Sequence, residues 1–204
     1  ITGVTTIVAG SNNITLTTAT NDFKNDVLIT SGNNVSLVDA NAIDLGASTV
    51  SGTYAVTATA GGGITDSGVL AITGASTFTA AGGQSILLTE ESTFAAVTFV
   101  TSGGGPLASV TINDSNAFEI QALTLTGDLT VTAGDDITDD GTVTVGRNLA
   151  ATTDASDGVI TLNELAVTGS IALNTHGTGA ATVVNATAIE FAASTVGGAL
   201  SATA

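Results

Sequence analysis

Basic residues are almost missing from this sequence. Only Lys24 and Arg147 carry a positive side chain, against 18 acids, and the formal net charge is −16. Binding of DNA or RNA, or docking on an anionic membrane surface, would need clustered Lys and Arg. We therefore expect neither nucleic acid nor an anionic membrane surface as a partner, whereas cations would be attracted.

Cysteine and long apolar runs are missing as well. A secreted protein with a long, regular core needs no disulfide, so the lack of cysteine does not assign a compartment. No apolar run is long enough to span a bilayer, and we expect no membrane insertion. Because the chain starts at Ile1 and not at Met, we interpret it as a piece of a longer protein, so the missing leader carries no weight.

Aromatic residues make up only 3% of the chain, and tryptophan is absent. What is present is 43% hydrophobic residues, with abundant Thr and 25 Gly. Beta-branched residues favour strands, and small residues allow layers to stack closely. Helical periodicity is lacking, so the composition predicts an all-β protein.

One motif occurs three times. Residues 39–45 return as 114–120 and again as 185–191, at separations of 75 and 71. In each copy an acid lies between two apolar residues, which is the alternation of a strand with one buried face. We predict that the apolar residues share one inward column and that the acids point outward. The three sets are Ile43, Asp44, Leu45; Phe118, Glu119, Ile120; and Ile189, Glu190, Phe191.

Shorter similarities extend this period to the whole chain. Residues 1–9 match 72–80, and residues 63–68 match 136–141. A sandwich seldom repeats in sequence, and propeller blades are usually anchored by bulky aromatic motifs. The pattern predicts a right-handed parallel β-helix of about nine rungs, with three rungs in each super-repeat of 71–75 residues. Residues 1–204 would be a single β-helix segment of a longer array, with super-repeats 10–80 and 81–153 and partial super-repeats 1–9 and 154–204.

The densest acidic cluster lies between residues 135 and 140. Hard oxygen ligands in a loop bind Ca²⁺, but the spacing matches neither the EF-hand nor the Gly-rich nonapeptide pattern. The matching segment 63–68 holds one acid at this place, Asp66. We expect a solvated acidic turn and no cofactor, and calcium is the one candidate ligand. Its candidate residues are Asp135, Asp136, Asp139 and Asp140.

Catalytic groups are few. Lys24 is expected to form a local ion pair with Asp22 or Asp26, and Arg147 and His176 are expected in exposed turns. Glycoside hydrolysis needs two carboxylates within about 10 Å of each other in a cleft. We expect that the protein is not an enzyme, and a polysaccharide-active β-helix enzyme is the alternative.

Threonine frequently recurs at alternate positions, as in six Thr-x-Thr pairs. Flat threonine arrays on β-helices occur in ice-binding proteins, but threonine is also an ordinary outward residue of strands. We expect the pairs to lie on different strands and not on one face, which leaves ice binding as an alternative. The pairs are Thr15/Thr17, Thr57/Thr59, Thr77/Thr79, Thr124/Thr126, Thr130/Thr132 and Thr142/Thr144.

Residues 64–74 read Ile-Thr-Asp-Ser-Gly-Val-Leu-Ala-Ile-Thr-Gly, and residues 77–82 read Thr-Phe-Thr-Ala-Ala-Gly. This repeat style resembles the repeat regions of large bacterial surface proteins, the filamentous-haemagglutinin-like adhesins and related β-strand-repeat exoproteins. The resemblance implies a structural segment of an extracellular fibre or adhesin stalk at the cell surface, a stiff acidic rod without catalysis. Its partners would be neighbouring repeats of its own kind, with cell-surface glycans or other cells as further candidates. A surface filament subunit stacked end to end is the alternative.

Overall fold

A computed structural model describes residues 1–154 and 157–204. The protein is an all-β parallel solenoid of about nine turns, which confirms the predicted fold class and is consistent with a right-handed β-helix. No helix of the described residues is long and apolar enough to cross a membrane. The chain divides into two compact units, Ile1–Leu107 and Ala108–Ala204.

The first unit contains strands β1 to β12. Strands β1, β3, β5, β8 and β11 lie side by side in that order, and β2, β4, β7, β10 and β12 form a second sheet. Strands β6 and β9 form a short parallel pair at a corner. The strands are β1 Thr5–Val8, β2 Ile14–Leu16, β3 Val27–Ser31, β4 Val35–Asp39, β5 Ile43–Leu45, β6 Ser48–Val50, β7 Tyr54–Ala58, β8 Ile64–Asp66, β9 Leu70–Ile72, β10 Ala75–Ala80, β11 Ile86–Ser92 and β12 Ala96–Thr101.

The core of the first unit is made of stacked columns of side chains. Parallel pairing brings residues of successive turns into register, so Leu37, Val56 and Phe78 lie in one column and are fully buried. The ring of Phe78 also packs edge-on against Tyr54 and Phe94, with centroids 6.0 Å apart. Burial of each such side chain stabilises the folded state by about 1.5–3 kcal/mol, because its apolar surface is removed from water.

The second unit contains strands β13 to β22. Strands β13, β15, β17, β19 and β21 lie side by side, and β14, β16, β18, β20 and β22 form the other sheet, all in parallel pairs. The strands are β13 Val110–Asp114, β14 Phe118–Leu125, β15 Leu129–Ala133, β16 Ile137–Val145, β17 Leu149–Thr153, β18 Ile160–Val167, β19 Ser170–Asn174, β20 Ala181–Asn185, β21 Glu190–Phe191 and β22 Leu200–Thr203.

The core of the second unit follows the same rule. Val110, Leu129, Leu149 and Ile171 form one buried column across successive strands. Phe191 continues this column in β21 but is 40% exposed, because none of the described strands lies on its far side. Stacking of neighbouring turns is therefore what buries these apolar side chains.

The pairing register shows that a super-repeat is longer than the three rungs expected from the sequence. Ile43 pairs with Ile64, so one turn takes about 21 residues, and a super-repeat takes about three and a half turns. In the second unit, residues 118–120 lie in β14 and their counterpart Glu190 lies in β21, on the other sheet. In the first unit, residues 5–8 in β1 and 76–79 in β10 are separated in the same way.

Successive copies therefore do not form the single inward column that was predicted. A super-repeat of about three and a half turns ends half a turn out of phase, so within each unit the matched segments lie on different sheets. The inward and outward orientation itself is confirmed in the second copy, where Phe118 is buried and Glu119 is exposed. In the first copy Ile43 is buried, but Asp44 is only half-buried and one of its oxygens is shielded from solvent. Ile189 is half-buried in the last turn, beside the exposed Glu190.

Candidate functional site

Asp139 connects one turn of the second unit to the next. Its two carboxylate oxygens accept hydrogen bonds from consecutive backbone amides, those of Asn163 at 3.0 Å and Glu164 at 2.9 Å. These amides belong to β18, where the ladder from β16 loses its register between Thr138 and Val143. The carboxylate thus accepts hydrogen bonds from two backbone amides at a place where the backbone ladder between the strands is interrupted.

Asp66 makes the same connection in the first unit. It accepts hydrogen bonds from the backbone amides of Thr89, at 2.7 Å, and Glu90, at 3.3 Å. Burial raises the pKa of Asp66, and the amide hydrogen bonds oppose that rise. Asp66 and Asp139 occupy the same place in the matched segments, so the connection is a property of the repeat. The sequence pointed to this position as a calcium candidate and missed its bond to the following turn.

The rest of the predicted acidic cluster does not converge on one point. Asp136 accepts a hydrogen bond from the amide of Val159 at 2.7 Å, again across turns. Asp135 and Asp140 are exposed. Among residues 1–154 and 157–204, no three His, Cys, Asp or Glu side chains come together as a metal site.

The first residue of the recurring motif is polar and buried in all three copies. Asp39 is 0% exposed, Asp114 is 2% exposed and Asn185 is 1% exposed. The carboxylate of Asp39 accepts hydrogen bonds from the amides of Phe23, at 2.7 Å, and Asn41, at 2.6 Å. Asp39 therefore bonds both to the corner that follows it and to the loop of the preceding turn. These bonds supply the partners that a buried carboxylate requires.

Asn185 performs the equivalent task with an amide. Its Oδ1 accepts from the amide of Val167 at 2.8 Å, and its Nδ2 donates to the carbonyl of the same residue at 3.1 Å. Nδ2 also contacts Thr187 Oγ1 and the carbonyl of Ala188. The recurring motif thus begins with a buried polar residue at a corner, and its strand follows. The alternation of apolar and acidic residues did not indicate this corner.

A ladder of short polar side chains runs along one corner of the second unit. The amide of Asp128 donates to Ser109 Oγ, the amide of Asn148 donates to Asp128 Oδ1, and the amide of Ser170 donates to Asn148 Oδ1, all at 2.9–3.0 Å. Each residue immediately precedes a buried strand residue. The polar side chains at this corner connect consecutive turns.

The basic residues and the histidine lie at the surface. Lys24 Nζ is 2.5 Å from Asp22 Oδ2, which confirms the predicted local ion pair. The hydrogen bond from Lys24 holds the pKa of Asp22 below its usual value. Arg147 and His176 are exposed, as the sequence predicted.

Threonines from three of the six pairs share a face in the first unit, so the expectation that the pairs lie on different faces is wrong for these three. The other three pairs lie on other strands, with Thr130 and Thr132 in β15 and Thr124 and Thr144 in β14 and β16. Thr15, Thr77 and Thr98 occupy the same outward column of the sheet β2-β4-β7-β10-β12, and Thr57 and Thr79 occupy the next. The columns are completed by uncharged residues. These are Ser36 and Ala55 in the first column and Val38 and Val100 in the second. The pairing register could not be read from the sequence spacing.

The second unit has a cavity of about 230 Å³ on its surface. Its wall includes Thr142, Asn163, Leu165 and Val184, and it contains a single carboxylate, that of Glu164. A pair of facing carboxylates, which glycoside hydrolysis uses, is therefore not part of this cavity.

The stacked parallel turns and the polar bonds between them define a repetitive β-solenoid. The chain matches the family described as repeats of unknown function (DUF5649) over residues 1–30, 32–101 and 107–174. These segments cover most of the chain, which belongs to this repeat family. The second and third segments start 75 residues apart, in agreement with the period of the motif. No curated protein and no solved structure is matched by the chain.

Proposed function

We propose that this chain is a structural segment of an extracellular bacterial fibre or adhesin stalk and has no catalytic role. The observation that supports it is the direction of the polar hydrogen bonds. Asp39, Asp66, Asp139 and Asn185 each bond to the backbone of the preceding or following turn. Side chains that recur with the repeat thus reinforce stacking, which is what a load-bearing segment requires.

The mechanism is mechanical. Each turn of a solenoid contacts only its neighbours, so stability is a sum over turns and interfaces between them. Backbone ladders and carboxylate bonds hold each turn, and a pulling force must break them turn after turn. The resemblance of residues 64–74 to repeats of filamentous-haemagglutinin-like adhesins supports a place at the cell surface, with further repeats, glycans or other cells as partners.

Force spectroscopy on the chain held between two reference domains tests this role. We expect a series of unfolding events, each releasing about one turn of 21 residues, which is about 7 nm of extended chain. Extension in one step at the lowest measurable force would contradict the mechanical role. Antibody labelling of intact cells that produce the full-length protein tests its location, and labelling only after lysis would contradict the surface assignment.

A self-assembling filament is the alternative form of this proposal. Apolar side chains are exposed in the first and last turns, with Val8 at 70%, Phe191 at 40% and Leu200 at 48%. Stacking of a second copy on these turns would cover them. Sedimentation equilibrium distinguishes the two forms. Mass that rises with concentration supports the filament, and a constant monomer mass supports a segment that needs no self-association.

Ice binding is a second candidate because of the threonine face of the first unit. Its two outward columns carry hydroxyl and methyl groups at the regular spacings of a parallel sheet, about 4.8 Å between strands. If the face binds ice, the chain will lower the freezing point below the melting point, and Thr77→Lys will abolish the effect. Gln121→Lys in the second unit, whose register partner is Asp140 and not a threonine, is the matched control. Equal loss in both variants, or no effect in the parent chain, would exclude this candidate.

A further inference from the structure

The charged residues of the first unit are divided unevenly between its two sheets. Between Asp44 and Asp114 the sequence holds three charged residues, Asp66, Glu90 and Glu91. All three lie in β8 and β11, which belong to the sheet β1-β3-β5-β8-β11. In the described strands of the other sheet, the outward residues are all uncharged. We call this surface the neutral face, and it consists of Thr15, Ser36, Val38, Ala55, Thr57, Thr77, Thr79, Thr98 and Val100.

The corners that border the neutral face are uncharged as well. Asn34 and Thr53 directly precede β4 and β7, and the segments 59–63 and 81–85 that follow β7 and β10 hold only Ala, Gly, Thr, Gln and Ser. In the second unit, by contrast, an acid directly precedes β15, namely Asp128. The uncharged surface is therefore a property of the first unit, in a chain whose net charge is −16.

The side chains of the neutral face are short, and most of them are β-branched. Such side chains on a pleated sheet are what two stacked sheets bring together, at a spacing of about 10 Å. Long charged side chains, which commonly keep sheets of different molecules apart, lie on the other sheet. Val100 in the last strand of the face is 37% exposed. The neutral face thus has the composition of a surface that packs against another sheet.

The charge distribution indicates which sheet would pack there. If two copies of the chain met through their neutral faces, their acidic sheets would lie outermost, about three sheet spacings or 30 Å apart. That distance is more than three Debye lengths at physiological salt, where the Debye length is about 8 Å. Contact through the acidic sheets would instead bring Asp66, Glu90 and Glu91 of both copies within about 10 Å of each other. Like-charge repulsion therefore favours the neutral face as the contact between copies.

We propose that two copies of this chain associate side by side, neutral face against neutral face, about a two-fold axis. Methyl and hydroxyl groups complement their own kind, as an isologous contact requires. Five strands and five residues span about 24 Å by 17 Å, so the pair buries about 800 Å². Stable interfaces bury about 1,200–2,000 Å², and the contact is accordingly weak and reversible. The proposal does not depend on the mechanical role, and it leaves both end turns free.

Sedimentation equilibrium of the full chain at 0.15 M NaCl, from about 10 μM to 1 mM, tests the proposal. We expect half of the chain to be dimeric between about 0.1 and 1 mM, because the buried area lies below that of stable interfaces. A two-fold contact closes at two copies, whereas head-to-tail stacking of end turns continues without limit. A mass that rises to that of a dimer and stops supports the side-by-side contact. A constant monomer mass, or growth beyond the dimer, would overturn it.

A pair of glutamate variants locates the contact. Thr57 lies in β7, the middle strand of the neutral face, and Thr57→Glu places two carboxylates against each other near the two-fold axis. We expect dimerisation to weaken at least about tenfold. Thr30→Glu adds the same charge at an exposed position of β3, in the other sheet, and should leave dimerisation within about twofold of the parent chain. Equal effects of the two variants would contradict a contact through the neutral face.

Cross-linking provides a test that does not depend on the stability of the glutamate variants. The chain has no cysteine, so Thr57→Cys and Thr30→Cys each carry a single thiol. Facing Cβ atoms of stacked sheets lie about 7 Å apart, a gap that a bismaleimide with an arm of about 8 Å can bridge. At 0.5 mM protein we expect covalent dimers of Thr57→Cys to exceed those of Thr30→Cys at least fivefold. Equal yields in the two variants would refute the proposal.

Discussion

Asp39 and Asn185 occupy the same place in the recurring motif, but their side chains are not interchangeable. Both oxygens of Asp39 accept amide hydrogens, from Phe23 and Asn41. Asn185 accepts one hydrogen and donates to carbonyl oxygens. The same corner is therefore satisfied by a carboxylate in one copy and by an amide in another, according to which backbone groups face it.

Exchanging the two residue types should destabilise the chain at both positions. Asp39→Asn turns a donor toward an amide hydrogen, and Asn185→Asp turns an anionic oxygen toward the carbonyls of Val167 and Ala188. Each swap leaves at least one buried group unpaired, and we expect a loss of about 1–3 kcal/mol in the free energy of unfolding. Urea denaturation measures it. The exposed Asp135→Asn should stay within about 0.5 kcal/mol, and an equal loss in that control would contradict the explanation.

Asp157 makes a pH-dependent contribution to the second unit. Hydrogen bonds from the hydroxyl of Thr178, at 2.6 Å, and from its amide, at 2.7 Å, lower the pKa of Asp157 below 3.8. A depressed pKa stabilises the fold above the unfolded value, and this stabilisation is lost as the pH falls through the folded pKa. We expect Thr178→Val to lower the melting temperature at pH 7 and this difference from the parent chain to shrink as the pH falls below 3.8. Thr182→Val is the control, and a difference that does not shrink with falling pH would refute the linkage.

At the scale of the strands, the carboxylate of Asp139 replaces backbone acceptors at the irregular part of β18. Asp139→Ala removes the partner of the amides of Asn163 and Glu164. We expect faster hydrogen exchange at these two amides and a loss of about 1–3 kcal/mol in stability. Asp140→Ala changes an exposed neighbour in the same strand and should leave both amides protected. Exchange that is unchanged in Asp139→Ala would show that the backbone holds this segment without the carboxylate.

Strand orientation was predictable from the sequence because it depends on local alternation. An apolar residue on each side of an acid places Ile43 and Phe118 inside whichever sheet the strand joins. The sheet itself was not predictable, because both sheets offer the same pleated, half-buried surface and alternation does not distinguish them. For the same reason the threonines of β2, β7 and β10 could not be recognised as neighbours.

The polar connections were missed for a related reason. Asp66 and Asp139 were visible as a matched pair of acids, but their partners are backbone amides some 23–25 residues further along the chain. Every residue except proline carries such an amide, so the identity of the partner residue cannot be predicted from the sequence. Likewise, nothing in the residues around Asp44 distinguishes its shielded oxygen from the exposed carboxylate of Glu119.

At the scale of the whole chain, removal of one complete super-repeat should leave a folded solenoid. Deletion of residues 43–117 joins Ala42 to Phe118 and removes 75 residues. We expect circular dichroism to show an unchanged strand signal per residue and urea unfolding to stay cooperative, because the new neighbour has the pattern of the old one. Deletion of residues 43–122 also cuts into β14 and should lose cooperativity. Equal behaviour of the two deletions would show that the period does not govern folding.

The extra half turn in each super-repeat has a consequence for the inheritance of such proteins. Recombination between similar repeats adds or removes copies in steps of one super-repeat. Because each step adds or removes half a turn beyond whole turns, it moves every later strand to the opposite sheet, as Glu119 and Glu190 already illustrate within the second unit. Two steps restore the original side. The parity of the copy number therefore decides which side of the solenoid displays a given sequence, and two relatives that differ by one copy present opposite surfaces downstream of the change.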